Sequence, residues 1–251
     1  MALTLTFWFA ITLIFHYSSI TSIYPFGRRK IMDKEVAEKM RLVCQSLIKM
    51  LELSFHGFRK LTEESFTKVE EARKEVQQQA MELTNFIVSK SASTDQGKEW
   101  AKPYLSMASS FDRMAYHIEG IVDRLKAMTR DQVLFSDRAV REVNDVFQKA
   151  MDLLESLPDL ILNQDKPVAQ QIGEQIRSVF KIANGFSEEH EERLMQGICL
   201  PKSSPMYLGI LESLKGIFAN ILEVSGKIVS LSSKSSPSSP PSPPGVDEKG
   251  T

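Results

Sequence analysis

Between Met32 and Leu231 apolar residues return every third or fourth position, the spacing of one face of an α-helix. The first stripe runs through Val36, Met40, Val43, Leu47, Met50, Ser54 and Phe58. A second, over about 62–90, uses Phe66, Val69, Val76, Ala80, Leu83 and Ile87. The third, over about 100–128, steps by four and three through Met107, Phe111, Met114, Ile118, Ile121, Leu125 and Met128. Further helices are predicted at about 131–163, 166–196 and 204–231. Pro103, Pro167 and Pro205 are placed in first turns, where a missing N–H costs nothing, and Pro201 in a linker. Pro158 should kink or end the fourth helix before it resumes at Leu160. No alternating strand pattern with turn dipeptides occurs, so the fold class is all-α.

Sliding the chain by 103 residues brings one half onto the other. Met40 then meets Val143, Met50 meets Leu153, Val69 meets Ile172 and Val76 meets Val179. In the third helix Met107 meets Ile210, Phe111 Leu214, Met114 Ile217 and Ile118 Ile221. Helical periodicity alone gives some matches, but one gapless offset across three helices and their loops points to a tandem duplication. Two three-helix bundles follow, over 32–130 and 131–231, packed side by side.

Composition leaves this picture intact. Hydrophobic residues make up 42% and charged residues 25%, an ordinary globular balance. With Arg28, Arg29 and Lys30 set aside, together with Lys234, Asp247, Glu248 and Lys249, 26 basic and 30 acidic side chains remain. They are interspersed along helical faces, and no basic stripe suited to nucleic acid is present. Cys44 and Cys199 lack any zinc or disulfide spacing and read as buried free thiols.

The ends differ from the middle. Residues 3–15 form an uncharged apolar run that softens up to Phe26 and is followed by Gly27-Arg28-Arg29-Lys30. Positive charge there favours a cytoplasmic body behind a segment 1–31 that anchors in the membrane. A translation start at Met32 and a cleaved leader are the other readings these residues leave open. Residues 232–251, rich in serine and proline, cannot bury enough surface to offset their ordering entropy and read as a disordered tail.

Catalytic signatures are missing. Gly97-Lys98 and Gly226-Lys227 lack the phosphate-loop context, and no GxGxxG or HExxH occurs. A di-iron bundle needs Glu three residues before His, but Leu53, Met114 and Ser187 precede His56, His117 and His190. His190 lies among four glutamates and reads first as part of an exposed charged face, with weak metal binding second. No catalytic residue, cofactor-binding residue or metal ligand is assigned, and the chain is expected not to be an enzyme.

Two stretches resemble the PhoU family of phosphate-signalling proteins, whose third helices carry a motif close to LERIGDHAENI. Phe111-Asp112-Arg113-Met114-Ala115-Tyr116-His117-Ile118-Glu119-Gly120-Ile121 is similar to the first copy and Leu214-Lys215-Gly216-Ile217-Phe218-Ala219-Asn220-Ile221-Leu222-Glu223-Val224 to the second. The likeness extends over residues 33–231 in length, order and repeat. It implies a six-helix duplication and a non-catalytic regulator of phosphate uptake or signalling. The implied partners are components of a phosphate transporter or a sensor kinase, at the inner face of the membrane, with homo-oligomerisation a further option. A membrane-tethered accessory domain like the tails of sodium–phosphate cotransporters, or a helical scaffold without a phosphate link, are the alternatives. Family metal clusters rest on an acidic residue and an aspartate four positions later. Here Asp112 is followed by Tyr116, while Lys215 and Ala219 replace both acids of the second copy. The resemblance therefore implies a scaffold without its metal ions, Asp112 and Glu119 being the one residual candidate pair.

Overall fold

The computed structural model describes residues 32–92 and 95–233. Its helices are α1 (Lys34–Lys60), α2 (Glu63–Ser91), α3 (Asp95–Arg130), α4 (Asp137–Glu155), α5 (Leu157–Asn163), α6 (Lys166–Met195) and α7 (Ser204–Ser233). A 3₁₀ turn, Pro201–Ser203, leads into α7, and no strand occurs among the described residues. Because α4 and α5 are two pieces of one predicted helix, the architecture is the expected six-helix, all-α duplication.

Helix ends repeat as faithfully as helix faces. Asp33 caps α1 by accepting from the amides of Glu35 and Val36, and Ser136, 103 positions on, caps α4 by accepting from that of Ala139. Thr62 caps α2 through the Ser65 amide, and its counterpart Asp165 caps α6 through the Val168 amide. After α1 the chain turns at Leu61 with φ 49°, and after α5 at Gln164 with φ 52°. Each donates its N–H four residues back, to Gly57 and Leu160. A left-handed non-glycine residue costs about 1–2 kcal/mol, so the same strained turn at the same register is a signature of shared ancestry.

Two boundaries differ from the sequence reading. α3 begins at Asp95, so Pro103 lies inside the helix, where it removes one backbone donor, instead of in a first turn. The fourth helix starts at Asp137 because residues 131–136 are spent connecting the halves; its break at Ser156 is the one expected from Pro158, which stands in the first turn of α5.

The two third helices form the centre. α3 and α7 run antiparallel, with contacts disposed evenly about Ala115 and Phe218: Arg113 reaches Asn220, His117 lies over Gly216, and Arg124 lies over Gly209. A Cβ on Gly216 would strike the His117 ring, and one on Gly209 would strike Arg124, so these glycines permit the close approach. Arg113 Nε donates to Asn220 at 2.7 Å and its Nη2 to Glu223 at 2.6 Å, while Ser106 donates to Glu223 at 2.7 Å. Around this seam Met114, Ile118, Ile121, Ile217, Ile221 and Val224 are fully buried, part of one apolar core that runs through both halves.

The halves differ where their first two helices meet. Glu75 of α2 accepts from Ser46 and Lys49 of α1, both at 3.2 Å. At the corresponding positions stand Lys149, Asp152 and Ser178, a set that offers no acid on α6 for α4 to hold. An open groove of about 510 Å³ separates α4 from α6 there, with Leu153, Ile172 and Val179 among its lining residues.

No described helix is long and apolar enough to cross a membrane. The apolar segment 1–31 and nearly all of the Ser/Pro-rich segment 232–251, from residue 234 on, lie outside the described residues.

Candidate functional site

The positions singled out by the family resemblance lie on α3 and α7, where Arg73 of α2 holds the remaining acids and Lys215 stands in place of one. Asp112 and Glu119, two helical turns apart on α3, share the guanidinium of Arg73 from α2, at 3.0 and 3.5 Å. Arg73 is only 17% exposed, so its charge faces these acids at reduced dielectric and would repel a metal cation. In the second copy Lys215 pairs with Glu212 on its own helix and donates to Asn184 of α6 at 3.0 Å. Ala219 is exposed without a donor atom, and Tyr116 projects into solvent with its ring edge against His117. A multinuclear site needs several free carboxylate oxygens around each ion. These residues do not fit such a group: one remaining acid pair is held by an arginine, and the other has been replaced by lysine and alanine. Among the described residues no three of His, Cys, Asp and Glu are grouped to hold a metal ion.

A second polar constellation lies at the end of the bundle where α3 passes to α4 and α6 to α7. Glu142 of α4 is only 6% exposed, yet it is surrounded by donors. Arg193 of α6 bonds both carboxylate oxygens at 3.1 and 2.9 Å, Arg138 donates at 2.9 Å, and the Tyr207 hydroxyl donates at 2.5 Å. Burial alone would raise the Glu142 carboxyl. Hydrogen bonds from Tyr207, Arg138 and Arg193 outweigh it and hold the group below its ordinary range. The same burial, reinforced by the Glu142 charge, pushes the Tyr207 phenol upward, so it remains a donor.

His190 stacks on Tyr207 with ring centres 4.5 Å apart, and its Nε2 lies 2.8 Å from the Ser204 hydroxyl. It is 2% exposed, a correction to the exposed charged face expected for it. One helical face turns His190 and Arg193 inward while Glu188, Glu191 and Glu192 remain outside. Burial, with help from Arg193, lowers the His190 pKa, so the ring is neutral at physiological pH. Cys199 corrects a second expectation, since it is partly exposed in the α6–α7 loop and not buried in a helix. Cys44 is buried as expected, and burial raises its thiol pKa far enough to leave it unreactive.

The stripe pattern on α4 and α6 contains the signal for this cluster. Glu142 falls beside Val143 and Val146 on the inward face of α4, and Arg193 continues the inward line of Ile176, Val179, Ala183 and His190. Charges of opposite sign at inward positions of neighbouring helices mark a buried pair. The Tyr207 hydroxyl and the Glu142 carboxylate are tied to each other. Ser204 has the His190 ring beside it, but both are buried and no group orients His190 through Nδ1, as a nucleophile with its base requires.

Fold and sites together define a class: a duplicated six-helix bundle built around paired third helices, with polar clusters that brace its helices. A solved structure similar to this fold is the phosphate transport system regulatory protein PhoU from Streptococcus pneumoniae. It matches with a TM-score of 0.69 and 13% sequence identity, over 78% of this chain and 93% of that one. At that identity the likeness establishes a PhoU-like fold. No family model and no curated protein matches the sequence.

Proposed function

We propose that this chain is a non-catalytic regulator of phosphate uptake or signalling, built from duplicated units at 32–130 and 131–231. It acts on the cytoplasmic side of the membrane through contacts with a phosphate transporter or a sensor kinase. The observation that carries this reading is the likeness to a regulatory protein of a phosphate transport system over 93% of that protein's length. The internal cations Arg73 and Lys215 agree with a protein that acts through its surfaces instead of a metal centre. Deleting the gene is expected to change phosphate uptake, and expression of phosphate-starvation genes, in phosphate-replete cells. Unchanged uptake and unchanged expression would remove the phosphate link and leave a helical adaptor.

A membrane-tethered accessory domain is the second reading, favoured by the apolar run at residues 3–15 followed by Arg28, Arg29 and Lys30. Native protein that pellets with membranes and resists salt extraction would support it, and a native chain beginning at Met32 would exclude it.

A further inference from the structure

α4 and α6 stand apart along a groove of about 510 Å³. Leu153, Ile172, Val179 and Ile182 give it an apolar floor, with Val168, 38% exposed, at one end. In the first repeat the corresponding Met50, Val69 and Val76 are covered by the closure of α1 on α2, which Glu75 ties to Ser46 and Lys49. An apolar concavity of this volume is a place for a ligand or a further segment to pack.

The entry point of the chain points to its occupant. Met32 is 2% exposed and donates its amide to Gln164 Oε1 at 3.2 Å. Gln164 is the turn between α5 and α6, so the chain joins the bundle one helical turn from Val168, at the near end of the groove. Immediately upstream lie Gly27-Arg28-Arg29-Lys30-Ile31, a link that at about 3.3–3.6 Å per residue outreaches that turn. Beyond the link come Phe26, Tyr24 and Ile23, and then the uncharged apolar run 3–15. From Val168 to Ile182 the groove follows roughly 21 Å of α6, a length that residues 3–26 easily cover.

The other terminal segment starts from the same place, since Ser232 donates its hydroxyl to the Gln164 carbonyl at 3.5 Å. Apart from prolines, however, residues 234–251 carry one large apolar side chain, Val246, and have little to lay on an apolar floor. Phe7, Trp8, Phe9, Leu13, Ile14 and Phe15 do, and leaving them in water is unfavourable.

We propose that the apolar segment 3–26 packs back into the α4–α6 groove of its own chain, entering past Val168 and covering Leu153, Ile172 and Val179. Arg28, Arg29 and Lys30 stay in water at the mouth. Docked there, the segment is withheld from a bilayer, so this inference is the alternative to the membrane tether. It does not depend on the phosphate reading.

The test places a photo-cross-linking residue in the full-length chain by Gln175→benzoylphenylalanine, an exposed position on the groove wall. Cells are irradiated, soluble and membrane fractions are separated, and cross-linked peptides are sequenced by mass spectrometry. Links within one chain, from Gln175 to residues 3–26, are expected in the soluble fraction. Gln78→benzoylphenylalanine, on the exposed surface of α2, should give none. Val168→Asp should cut the Gln175 yield about fivefold or more, because docking would bury a carboxylate; circular dichroism checks that the bundle keeps its helicity. The proposal is overturned if Gln175 gives no link to the segment, if its links join two chains, or if Val168→Asp leaves the yield unchanged. A chain found only in membranes, or a native chain beginning at Met32, overturns it as well. None of these outcomes touches the uptake phenotype, which alone decides the phosphate reading.

Discussion

Arg193 grips Glu142 through both terminal guanidinium nitrogens, at 3.1 and 2.9 Å, with the two side chains only 9% and 6% exposed. It joins α6 to α4 in the half where those helices otherwise part around a groove. Breaking a buried pair strands the remaining charge, whereas replacing both partners removes the problem. Arg193→Met is therefore expected to destabilise by about 3–5 kcal/mol, and Glu142→Leu with Arg193→Met by much less. Urea unfolding of wild type, Arg193→Met, Glu142→Leu and the double variant checks this, and additivity of the single changes would disprove the coupling.

Stability should fall in two stages on acidification. His190 has a folded-state pKa below its ordinary 6.5, so the unfolded chain takes the proton first. Its contribution is complete above pH 6.5 and erodes as the pH drops below that value. Glu142 is held below its ordinary 4.5, so its contribution is complete above 4.5 and disappears as the pH falls through the folded value. Thermal melts from pH 8 to pH 3 are expected to show both stages. His190→Phe, which keeps the stacking on Tyr207, should flatten the first, apart from the part His117 adds through its own lowered pKa. Glu142→Gln should reduce the second, the remainder coming from other carboxylates held below their ordinary values, among them Asp33 and Glu223.

Much of the bundle is legible in the sequence because helix faces and caps are local. The stripe from Met107 to Met128 needs only a period, and Asp33, Thr62, Ser136 and Asp165 each cap through amides two or three residues away. Pro103 misleads because a first-turn preference is local, while the helix runs back to Asp95 and takes the proline into its interior. His190 misleads for the same reason: its glutamate neighbours describe α6 as a chain, and its burial depends on Tyr207 and Ser204 arriving from α7. Arg73 between Asp112 and Glu119 is a contact across helices with no signature in spacing.

Metal content follows from those internal cations. Purified protein should hold less than one iron, zinc or manganese ion per chain, because Arg73 neutralises Asp112 and Glu119 while Lys215 and Ala219 supply no ligand. Elemental analysis returning two or more tightly held ions per chain would contradict this assignment.

The difference between the repeats can be engineered. Asp152→Lys with Ser178→Glu would place across α4 and α6 the pair that Lys49 and Glu75 form across α1 and α2 at 3.2 Å. Both partners of the natural pair are substantially exposed, so the gain should not exceed about 1 kcal/mol. Chemical denaturation measures the gain, and high salt should abolish it. A loss of stability would mean that the groove is set by side-chain volume, with Gln175 standing where the first repeat has Ala72.

Tyr104 and Tyr207 provide an internal control, being the same residue at equivalent positions 103 apart, both in the core. Their rings are buried alike, at 4% and 0% exposure, so removing a hydroxyl changes the apolar contribution similarly at both. Their hydroxyls differ. Tyr207 donates at 2.5 Å to the buried Glu142 carboxylate, whereas Tyr104 lies near the backbone of Asp33, at the more open start of α1. A hydrogen bond to a charged group contributes about 1.5–3 kcal/mol and an ordinary one about 0.5–1.5. Tyr207→Phe should therefore destabilise by about 1–2 kcal/mol more than Tyr104→Phe. It should also raise the Glu142 pKa, moving the acid stage of unfolding to higher pH, because one of the donors that hold the carboxylate ionised is gone. Paired denaturation curves at neutral and acidic pH test both parts. Equal losses for the two variants, with an unmoved acid stage, would show that the second repeat's buried carboxylate depends on its arginines alone.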